Sequence, residues 1–264
     1  MPEGHTLHRL ARLHQKRFGG APVAVSSPQG RFGDAALVDG HVLRRASAWG
    51  KHLFHHYEGG GIVHIHLGLY GTFREQSVPM SPAVGAVRMR MIGAEYGTDL
   101  RGPTACDVID EAQQSAILDR LGPDPLRSDA DPDLAWTRIS KSRRAIGALL
   151  MDQAVLAGVG NVYRAELLFR HSIDPYRPGR DISEAEFADA WADLVELMKV
   201  GVRRGRIIVV RPEHDHGASA YGPRRPRTYV YRRTGEPCRL CGTPVRTAEM
   251  EGRNLFWCPA CQAS

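Results

Sequence analysis

Four cysteines near the C-terminal end constrain the fold of this chain more than any other feature. Cys238 and Cys241 are separated by two residues, sixteen residues follow, and Cys258 and Cys261 repeat the two-residue spacing. Two such pairs can direct four thiolates at one tetrahedral Zn²⁺, which leaves no coordination position open for a substrate. The spacing therefore predicts one structural zinc and no catalytic metal. A redox-active pair is the alternative.

The residues between the two cysteine pairs predict a hairpin. Two short strand-like segments, 245–247 and 255–257, flank the turn-forming residues 251–254. Arg253 then lies near the exposed tip, where an arginine can contact a phosphate. An ordinary solvated surface arginine is the alternative interpretation.

Size and composition place the chain among globular proteins. Its 264 residues suffice for two lobes with separate cores. The absence of an apolar run of about 18 to 20 residues argues against a membrane span. The N-terminus lacks the pattern of a secretory signal, so we expect a cytoplasmic, nucleoid-associated protein without disulfides. Cys106 is isolated from the other cysteines and is interpreted as a bystander thiol.

The charge distribution indicates a polyanionic partner. The formal net charge is +6, and four thiolates with one Zn²⁺ would change it to 6 − 4 + 2 = +4. Segment 203–233 carries nine arginines against Glu213 and Asp215 only. Such a concentration suits a nucleic acid bound on one face, with a merely solvated basic surface as the alternative.

The hydrophobic patterns divide the chain into an α+β N-terminal lobe and a helical C-terminal lobe. A helix opening at Pro2 ends near Gly19 and Gly20, and short strands separated by glycine and proline turns follow. We therefore expect a β-rich first lobe with flanking helices. The predicted strands are 23–26, 41–45, 52–57, 62–67 and 87–92.

The second half of the chain shows helical spacing. Segments 136–153, 161–171 and 184–202 are predicted helices, and Asn161 is a suitable N-cap. The glycines before Asn161 can leave backbone N–H groups free for a phosphate, although a plain helical hairpin has the same pattern. The predicted domains are residues 1–125, a linker at 126–134, a helical lobe at 135–232 and the ribbon at 233–264.

The N-terminal Pro2 is a candidate nucleophile. Methionine is usually removed before a small residue, and the secondary amine left on Pro2 would titrate near pH 8 and below. Such an amine can form a Schiff base, and the neighbouring Glu3 can move protons. Proline followed by glutamate is also a routine helix opening, so these residues alone leave both interpretations open.

Five motifs taken in order resemble the formamidopyrimidine-DNA glycosylase and endonuclease VIII family of DNA-repair enzymes. The resemblance runs nearly from end to end of the chain and implies a β-sandwich lobe, a helix-two-turn-helix lobe and a zinc ribbon. The motifs are Met1-Pro2-Glu3-Gly4, Gly50-Lys51-His52-Leu53, His66-Leu67-Gly68-Leu69-Tyr70-Gly71, Leu156-Ala157-Gly158-Val159-Gly160-Asn161-Val162-Tyr163, and the four-cysteine ribbon with Gly252-Arg253.

The resemblance implies a bifunctional glycosylase and AP lyase. In the family pattern Pro2 attacks C1′ of the damaged nucleotide, Glu3 acts as general acid and base, and Lys51 contacts a phosphate beside the lesion. Base release leaves a Schiff base, and β and δ eliminations then remove the sugar.

The resemblance also implies a partner and the residues that hold it. The expected partner is double-stranded DNA with oxidised bases or abasic sites. We expect the protein to bind it as a monomer and to have no membrane partner. Leu69 and Tyr70 match the wedge that fills the hole left by a flipped base, although Leu69 can instead be a core residue. Asn161 and Arg253 match the phosphate-binding residues.

Three departures from the family pattern bear on the substrate. Thr6 stands where many relatives have a second glutamate, and Gly68 stands where some endonuclease VIII enzymes have glutamine before the wedge. Residues 99–102 lack the arginine–phenylalanine wedge typical of 8-oxoguanine enzymes. We therefore expect oxidised pyrimidines as substrates. An enzyme preferring 8-oxoguanine or formamidopyrimidine, and a non-catalytic damaged-DNA-binding protein, are the alternatives.

Overall fold

The computed structural model describes residues 2–215 and 227–263. The chain divides into two compact units, Met1–Arg120 and Leu121–Ser264. Residues 216–226, which belong to the predicted basic stretch, lie outside the described residues. No described helix has the length and apolar character needed to cross a membrane.

The first unit contains two four-stranded antiparallel sheets. One has the strand order β1-β6-β7-β5 and the other the order β2-β3-β4-β8. The elements are α1 (Gly4–Phe18), β1 (Ala24–Ser26), β2 (Leu43–Trp49), β3 (His52–Tyr57), β4 (Ile62–His66), β5 (Thr72–Ser77), β6 (Val87–Ile92), β7 (Tyr96–Arg101), β8 (Ala105–Ile109) and α2 (Glu111–Leu118).

Both sheets of the first unit contribute to one hydrophobic core. Met89 on β6 and Leu53 on β3 are fully buried in it, together with Leu7 and Phe18 of α1. Helix α1 is also joined to β3 by the His14 Nδ1 to His55 Nε2 hydrogen bond of 3.0 Å. The predicted β-sandwich with a flanking helix is thus confirmed.

Three strands were not predicted, because their apolar pattern is weak. Strand β5 is mostly exposed, and β7 buries the charged Asp99 on its sheet. Asp99 is tolerated there because its register partner Arg90 donates two hydrogen bonds to it, at 2.7 and 2.9 Å. A buried carboxylate paired in this way keeps its charge satisfied.

The second unit is helical and ends in a two-stranded antiparallel hairpin. Its helices pack around a core that also receives side chains from the zinc ribbon, including Phe256 and Cys258. The elements are α3 (Pro132–Ser140), α4 (Ile146–Leu149), α5 (Asn161–Arg170), α6 (Glu184–Arg204), β9 (Arg246–Met250) and β10 (Arg253–Trp257).

The prediction of a single helix over residues 136–153 is wrong. The chain leaves the helical path after Ser140, and α4 is a separate short helix. Residues 142–146 instead exchange backbone hydrogen bonds with residues 177–180: Ile146 N–H donates to the Arg177 carbonyl at 2.8 Å, and Gly179 N–H donates to the Arg144 carbonyl at 2.9 Å. These tertiary bonds replace the helical ones that the local sequence favours.

The division between the two units comes earlier in the chain than the predicted boundary. The division falls between Arg120 and Leu121, whereas the predicted first domain extends to residue 125. The predicted linker 126–134 belongs to the second unit, where Leu126 packs against the helical core. Asp131 caps α3 by accepting a hydrogen bond of 2.9 Å from the Asp133 N–H.

Candidate functional site

The N-terminal residues lie immediately before the first helix. Pro2 is half-buried and Glu3 is 0% exposed. Helix α1 begins at Gly4 with Glu3 as its N-cap, and the Thr6 N–H donates to the Glu3 carbonyl at 2.8 Å. Pro2 therefore precedes the helix, whereas the sequence predicts a helix that opens at Pro2. The Glu3 side chain makes no capping hydrogen bond, and the positive end of a helix favours a negative charge near this position.

A buried histidine follows these residues on the first turn of α1. His5 is 5% exposed, and burial lowers its pKa to about 4, with smaller contributions from the charge of the chain terminus and from His8. At neutral pH this imidazole is uncharged. The electrostatic environment of the N-terminus thus contains a neutral ring rather than a second cation.

Lys51 occupies the two-residue turn between β2 and β3. Gly50, its partner in the turn, has φ of +55°, a conformation that favours glycine. Lys51 is half-buried, and the rings of His52 and His66 lie near it. Burial lowers the pKa of both imidazoles. The charge of Lys51 lowers the pKa of His66 further, and His64, His66, Arg120 and Lys51 do so for His52. Lys51 therefore lies beside imidazoles whose burial favours their neutral form.

The candidate wedge residues lie in the loop between β4 and β5. The Leu69 side chain is 41% exposed and the Tyr70 side chain is 83% exposed. The turn that carries them is closed by a hydrogen bond of 2.8 Å from the Gly71 N–H to the Leu67 carbonyl. Leu69 is not a core residue, so the alternative interpretation of this leucine is wrong.

Asn161 opens helix α5 but does not cap it. The N-cap is Gly160, and the Asn161 side chain is buried, with 4% of the residue exposed. Its Nδ2 donates to the Asn254 carbonyl at 2.9 Å, and its Oδ1 accepts a hydrogen bond from the Arg164 guanidinium. The predicted capping role is wrong because these partners orient the amide toward the hairpin.

Arg253 is exposed at the first position of β10. The connection between β9 and β10 is the two-residue turn Glu251-Gly252, whose φ values of +55° and +63° are those of a tight hairpin turn. Arg144 approaches the same turn and forms an ion pair of 3.1 Å with Glu251. The turn places the Arg253 guanidinium at the tip of the ribbon, as predicted.

Two charged residues of α5 were missed by sequence reasoning. Arg164 is fully buried and donates to the Met250 carbonyl at 3.3 Å. Glu166 is also fully buried and accepts three backbone N–H groups, from Tyr229 at 2.6 Å, Val230 at 2.9 Å and Tyr231 at 2.7 Å. Charged side chains within an otherwise largely apolar helix were the available signal.

The four ribbon cysteines converge on one point. Their Sγ atoms all lie within 4.8 Å of one another, with separations of 3.9 Å between Cys238 and Cys261 and 3.5 Å between Cys241 and Cys258. Tetrahedral zinc with bonds of about 2.3 Å requires sulfurs about 3.8 Å apart. The four thiolates thus fit a structural Zn²⁺, and no other such cluster occurs in residues 2–215 and 227–263.

Cys106 differs from the four ribbon cysteines. It is buried in the core of the first unit, and burial raises the pKa of its thiol to about 12. A thiol that stays protonated is a poor nucleophile and a poor metal ligand. The residue serves packing, in line with its interpretation as a bystander.

Family profiles match nearly the whole chain. The profile described as the formamidopyrimidine-DNA glycosylase N-terminal domain matches residues 1–104, and the formamidopyrimidine-DNA glycosylase H2TH domain matches residues 121–212. The zinc finger found in FPG and IleRS matches residues 235–263. The three matches fall in the predicted order of sandwich, helical lobe and ribbon.

Individual relatives agree with these profiles. Endonuclease 8 1 of Mycobacterium tuberculosis is 72% identical over 99% of this chain and 100% of its own length. Formamidopyrimidine-DNA glycosylase of Thermus thermophilus is 33% identical, covering 88% of this chain and 86% of its own. The Lactococcus lactis Fpg structure with abasic-site DNA has a TM-score of 0.80 at 22% identity, covering 99% and 100%, and shows the shared fold.

The chain belongs to the formamidopyrimidine-DNA glycosylase and endonuclease VIII family. It is an endonuclease 8-like DNA glycosylase with AP lyase activity, an enzyme of base excision repair. The zinc is structural rather than catalytic, because its four thiolate ligands leave no open coordination position for a substrate.

Proposed function

We propose that this enzyme removes oxidised bases from double-stranded DNA through a covalent intermediate on Pro2. The observation that carries the proposal is the half-buried Pro2 directly before a helix, with the buried carboxyl group of Glu3 at the helix N-cap. Borohydride trapping on abasic DNA tests it, since reduction converts a Schiff base into a stable link between protein and DNA.

The covalent step begins when the Pro2 amine, freed by removal of Met1, attacks C1′ of the damaged nucleotide. The N–C1′ bond forms and the glycosidic bond breaks, so the base leaves with the bonding electron pair and takes up a proton. Glu3 serves as the general acid and base that opens the sugar ring. The product is an iminium ion between Pro2 and the ring-opened sugar.

The lyase steps follow from the electron-withdrawing iminium. Loss of a C2′ proton lets the 3′ phosphate leave by β elimination, and loss of a C4′ proton lets the 5′ phosphate leave by δ elimination. Hydrolysis of the iminium then frees Pro2, and the DNA has a one-nucleotide gap. Lys51 contacts a phosphate beside the lesion in this proposal.

A base within a duplex must be flipped before the amine can reach its sugar. Flipping costs a few kcal/mol, and a side chain that fills the hole offsets part of it. The exposed Leu69 and Tyr70 supply an apolar and an aromatic group on a tight turn. We assign them the wedge role, because exposed apolar and aromatic side chains can leave water and stack against the bases that flank the flipped nucleotide.

Phosphate binding in the second unit is assigned to Asn161 and Arg253. Arg253 is exposed at the ribbon tip, and Asn161 lies at the start of helix α5, whose backbone N–H groups favour anions. These contacts hold the DNA without reading its sequence. The enzyme acts as a monomer on chromosomal DNA in the cytoplasm in this proposal.

The substrate class is proposed to be oxidised pyrimidines. Strand β7 ends at Arg101 and is followed by Gly102-Pro103, so no phenylalanine is available at this loop as a second wedge. Comparison of thymine glycol with 8-oxoguanine in the same duplex, under single turnover, tests the assignment. Faster release of 8-oxoguanine would contradict it and favour the alternative of a purine-preferring enzyme.

A further inference from the structure

A histidine side chain accepts a hydrogen bond at the start of the turn that carries the wedge residues. The Gly68 N–H donates to His66 Nδ1 at 3.2 Å. Two backbone bonds complete the turn: Gly71 N–H donates to the Leu67 carbonyl, and Thr104 N–H donates to the His66 carbonyl, both at 2.8 Å. His66 therefore anchors the start of the turn through both its ring and its backbone.

The backbone of the turn is closely packed at Gly68. Gly68 has φ of +62°, and a Cβ at this position would lie 1.9 Å from the Thr104 hydroxyl oxygen. The backbone is thus packed against the end of the loop that leads into β8. This contact limits where Gly68 can lie, and the hydrogen bond to the His66 ring sets the direction in which its N–H points.

The surroundings of His66 keep its Nδ1 available as an acceptor. Its ring packs edge-on to His52 with centroids 5.0 Å apart, and His52 Nδ1 is in turn 2.8 Å from His64 Nε2. Burial lowers the pKa of His66, and the Lys51 charge lowers it further. A neutral ring with its proton on Nε2 can accept the Gly68 N–H, whereas a protonated ring cannot.

We propose that His66 is a positioning residue that fixes the Leu69–Tyr70 turn for insertion into duplex DNA by accepting the Gly68 N–H. The inference rests on the wedge role proposed above. The ring holds the Gly68 N–H, and the two exposed side chains follow one and two residues after Gly68. Without this acceptor the turn has other orientations, and only a fraction of molecules present the wedge correctly.

The proposal predicts that loss of the His66 ring lowers the activity on duplex DNA more than the activity on single-stranded DNA. In duplex DNA, extrusion of a base leaves a hole beside the opposite strand, and the wedge offsets the lost stacking. Single-stranded DNA has no such hole, so a misplaced wedge has little effect there. A general defect in folding or in the amine chemistry would instead lower both activities.

The experiment measures single-turnover release of thymine glycol from a duplex and from the same strand alone. Four variants are compared with the parent: His66→Ala, His66→Asn, the double variant Leu69→Ala with Tyr70→Ala, and His41→Ala as a surface control. His66→Ala lowers the duplex rate by about 10- to 100-fold, the range expected for a small misplacement of a substrate-positioning group. Its single-strand rate stays within about twofold.

The asparagine variant separates hydrogen bonding from the loss of a ring. The Asn Oδ1 can occupy about the position of His66 Nδ1, so His66→Asn restores most of the duplex rate. The exposed His41 contacts the Glu58 carbonyl in the same unit, and its removal changes neither rate. A variant with asparagine as poor as alanine would overturn the hydrogen-bond argument.

Two further outcomes would overturn the proposal and identify the error. If the double variant of Leu69 and Tyr70 loses duplex and single-strand activity equally, the wedge assignment itself fails. If the double variant discriminates but His66→Ala behaves like the parent, the role of His66 fails alone. A change in the salt dependence of binding with His66→Ala would indicate a direct phosphate contact instead.

Discussion

The side-chain amide of Asn161 donates a hydrogen bond of 2.9 Å to the backbone carbonyl of Asn254, 93 positions later in the chain. Arg164, one turn further along α5, donates to the Met250 carbonyl on the opposite strand of the hairpin. The start of α5 thus holds both strands beside the turn that presents Arg253. The two proposed phosphate-binding residues form one structural group.

This coupling sharpens the prediction for DNA binding. Arg253→Ala lowers the affinity for all sequences and reduces the slope of log K against log salt concentration by about one, because one fewer phosphate is neutralised. Asn161→Ala also reduces the slope, since the hairpin that carries Arg253 loses an anchor. Fluorescence anisotropy between 50 and 200 mM salt, about the range where such slopes are resolved, measures both.

Lys199→Ala is the matched control for these variants. Lys199 is a surface cation of α6 that pairs with Glu196 at 2.8 Å. Its removal tests whether loss of any positive charge from this unit lowers the slope. An unchanged slope for Arg253→Ala, or an equal decrease for Lys199→Ala, would contradict the assignment of Arg253.

Removal of zinc is expected to unfold the zinc ribbon. Without the metal, nothing offsets the repulsion between four thiolates whose sulfurs lie within 4.8 Å of one another. Structural zinc contributes roughly 10 kcal/mol to small modules of this kind. Cys258→Ser lowers the zinc content and the DNA affinity together, as measured by a colorimetric zinc assay and anisotropy. Cys106→Ser retains one zinc per chain. Full DNA affinity in a zinc-free protein would contradict this account.

The buried ion pair between Arg90 and Asp99 is expected to stabilise the first unit. Asp99→Ala leaves a buried guanidinium without its carboxylate and costs about 3–5 kcal/mol in the free energy of unfolding. Glu58→Ala is the comparison, because its pair with Arg44 is exposed by 51% and 63%. That pair contributes about 1 kcal/mol or less. Denaturant unfolding followed by circular dichroism distinguishes the two.

Acid is expected to destabilise the first unit through His14 and His55. Burial lowers the pKa of His14 to about 3 and that of His55 well below its usual 6.5. A folded-state pKa below the unfolded one favours the folded state above pH 6.5, and this contribution is lost as the pH falls toward 3. Each residue adds a slope of up to about 1.4 kcal/mol per pH unit.

Replacement of one partner tests this pH dependence. His55→Phe removes one group that must take up a proton on unfolding, so the unfolding free energy falls less steeply between about pH 6.5 and pH 4. The exposed His41→Ala variant keeps the parent slope. Identical slopes for the parent and His55→Phe would show that other groups govern the acid response.

Features with a local cause were predictable from the sequence. The spacing of the cysteines fixes four sulfurs around one metal, and the apolar stripe after Pro2 gives α1, which ends at Phe18 as the following glycines predict. The hairpin turn was placed within two residues because Glu251-Gly252 can adopt positive φ. In each case neighbouring residues along the chain determine the conformation.

Features with a tertiary cause were not predictable in the same way. The break in the predicted helix 136–153 depends on backbone bonds to residues 177–180. Asn161 looks like an N-cap in sequence, but its amide is used by Asn254. The roles of His66 and Glu166 depend on N–H groups that only the folded chain brings to them. No pattern of single residues contains that information.

The covalent role of Pro2 is tested most directly by borohydride reduction of the protein, after Met1 removal, in the presence of abasic duplex DNA. The account predicts one covalent complex whose DNA-bearing peptide begins with Pro2, and its loss in a chain that retains Met1. A Lys51→Ala variant still forms the complex once bound, because its charge only holds a phosphate. No trapped complex, or a link mapped to a lysine, would contradict the central claim.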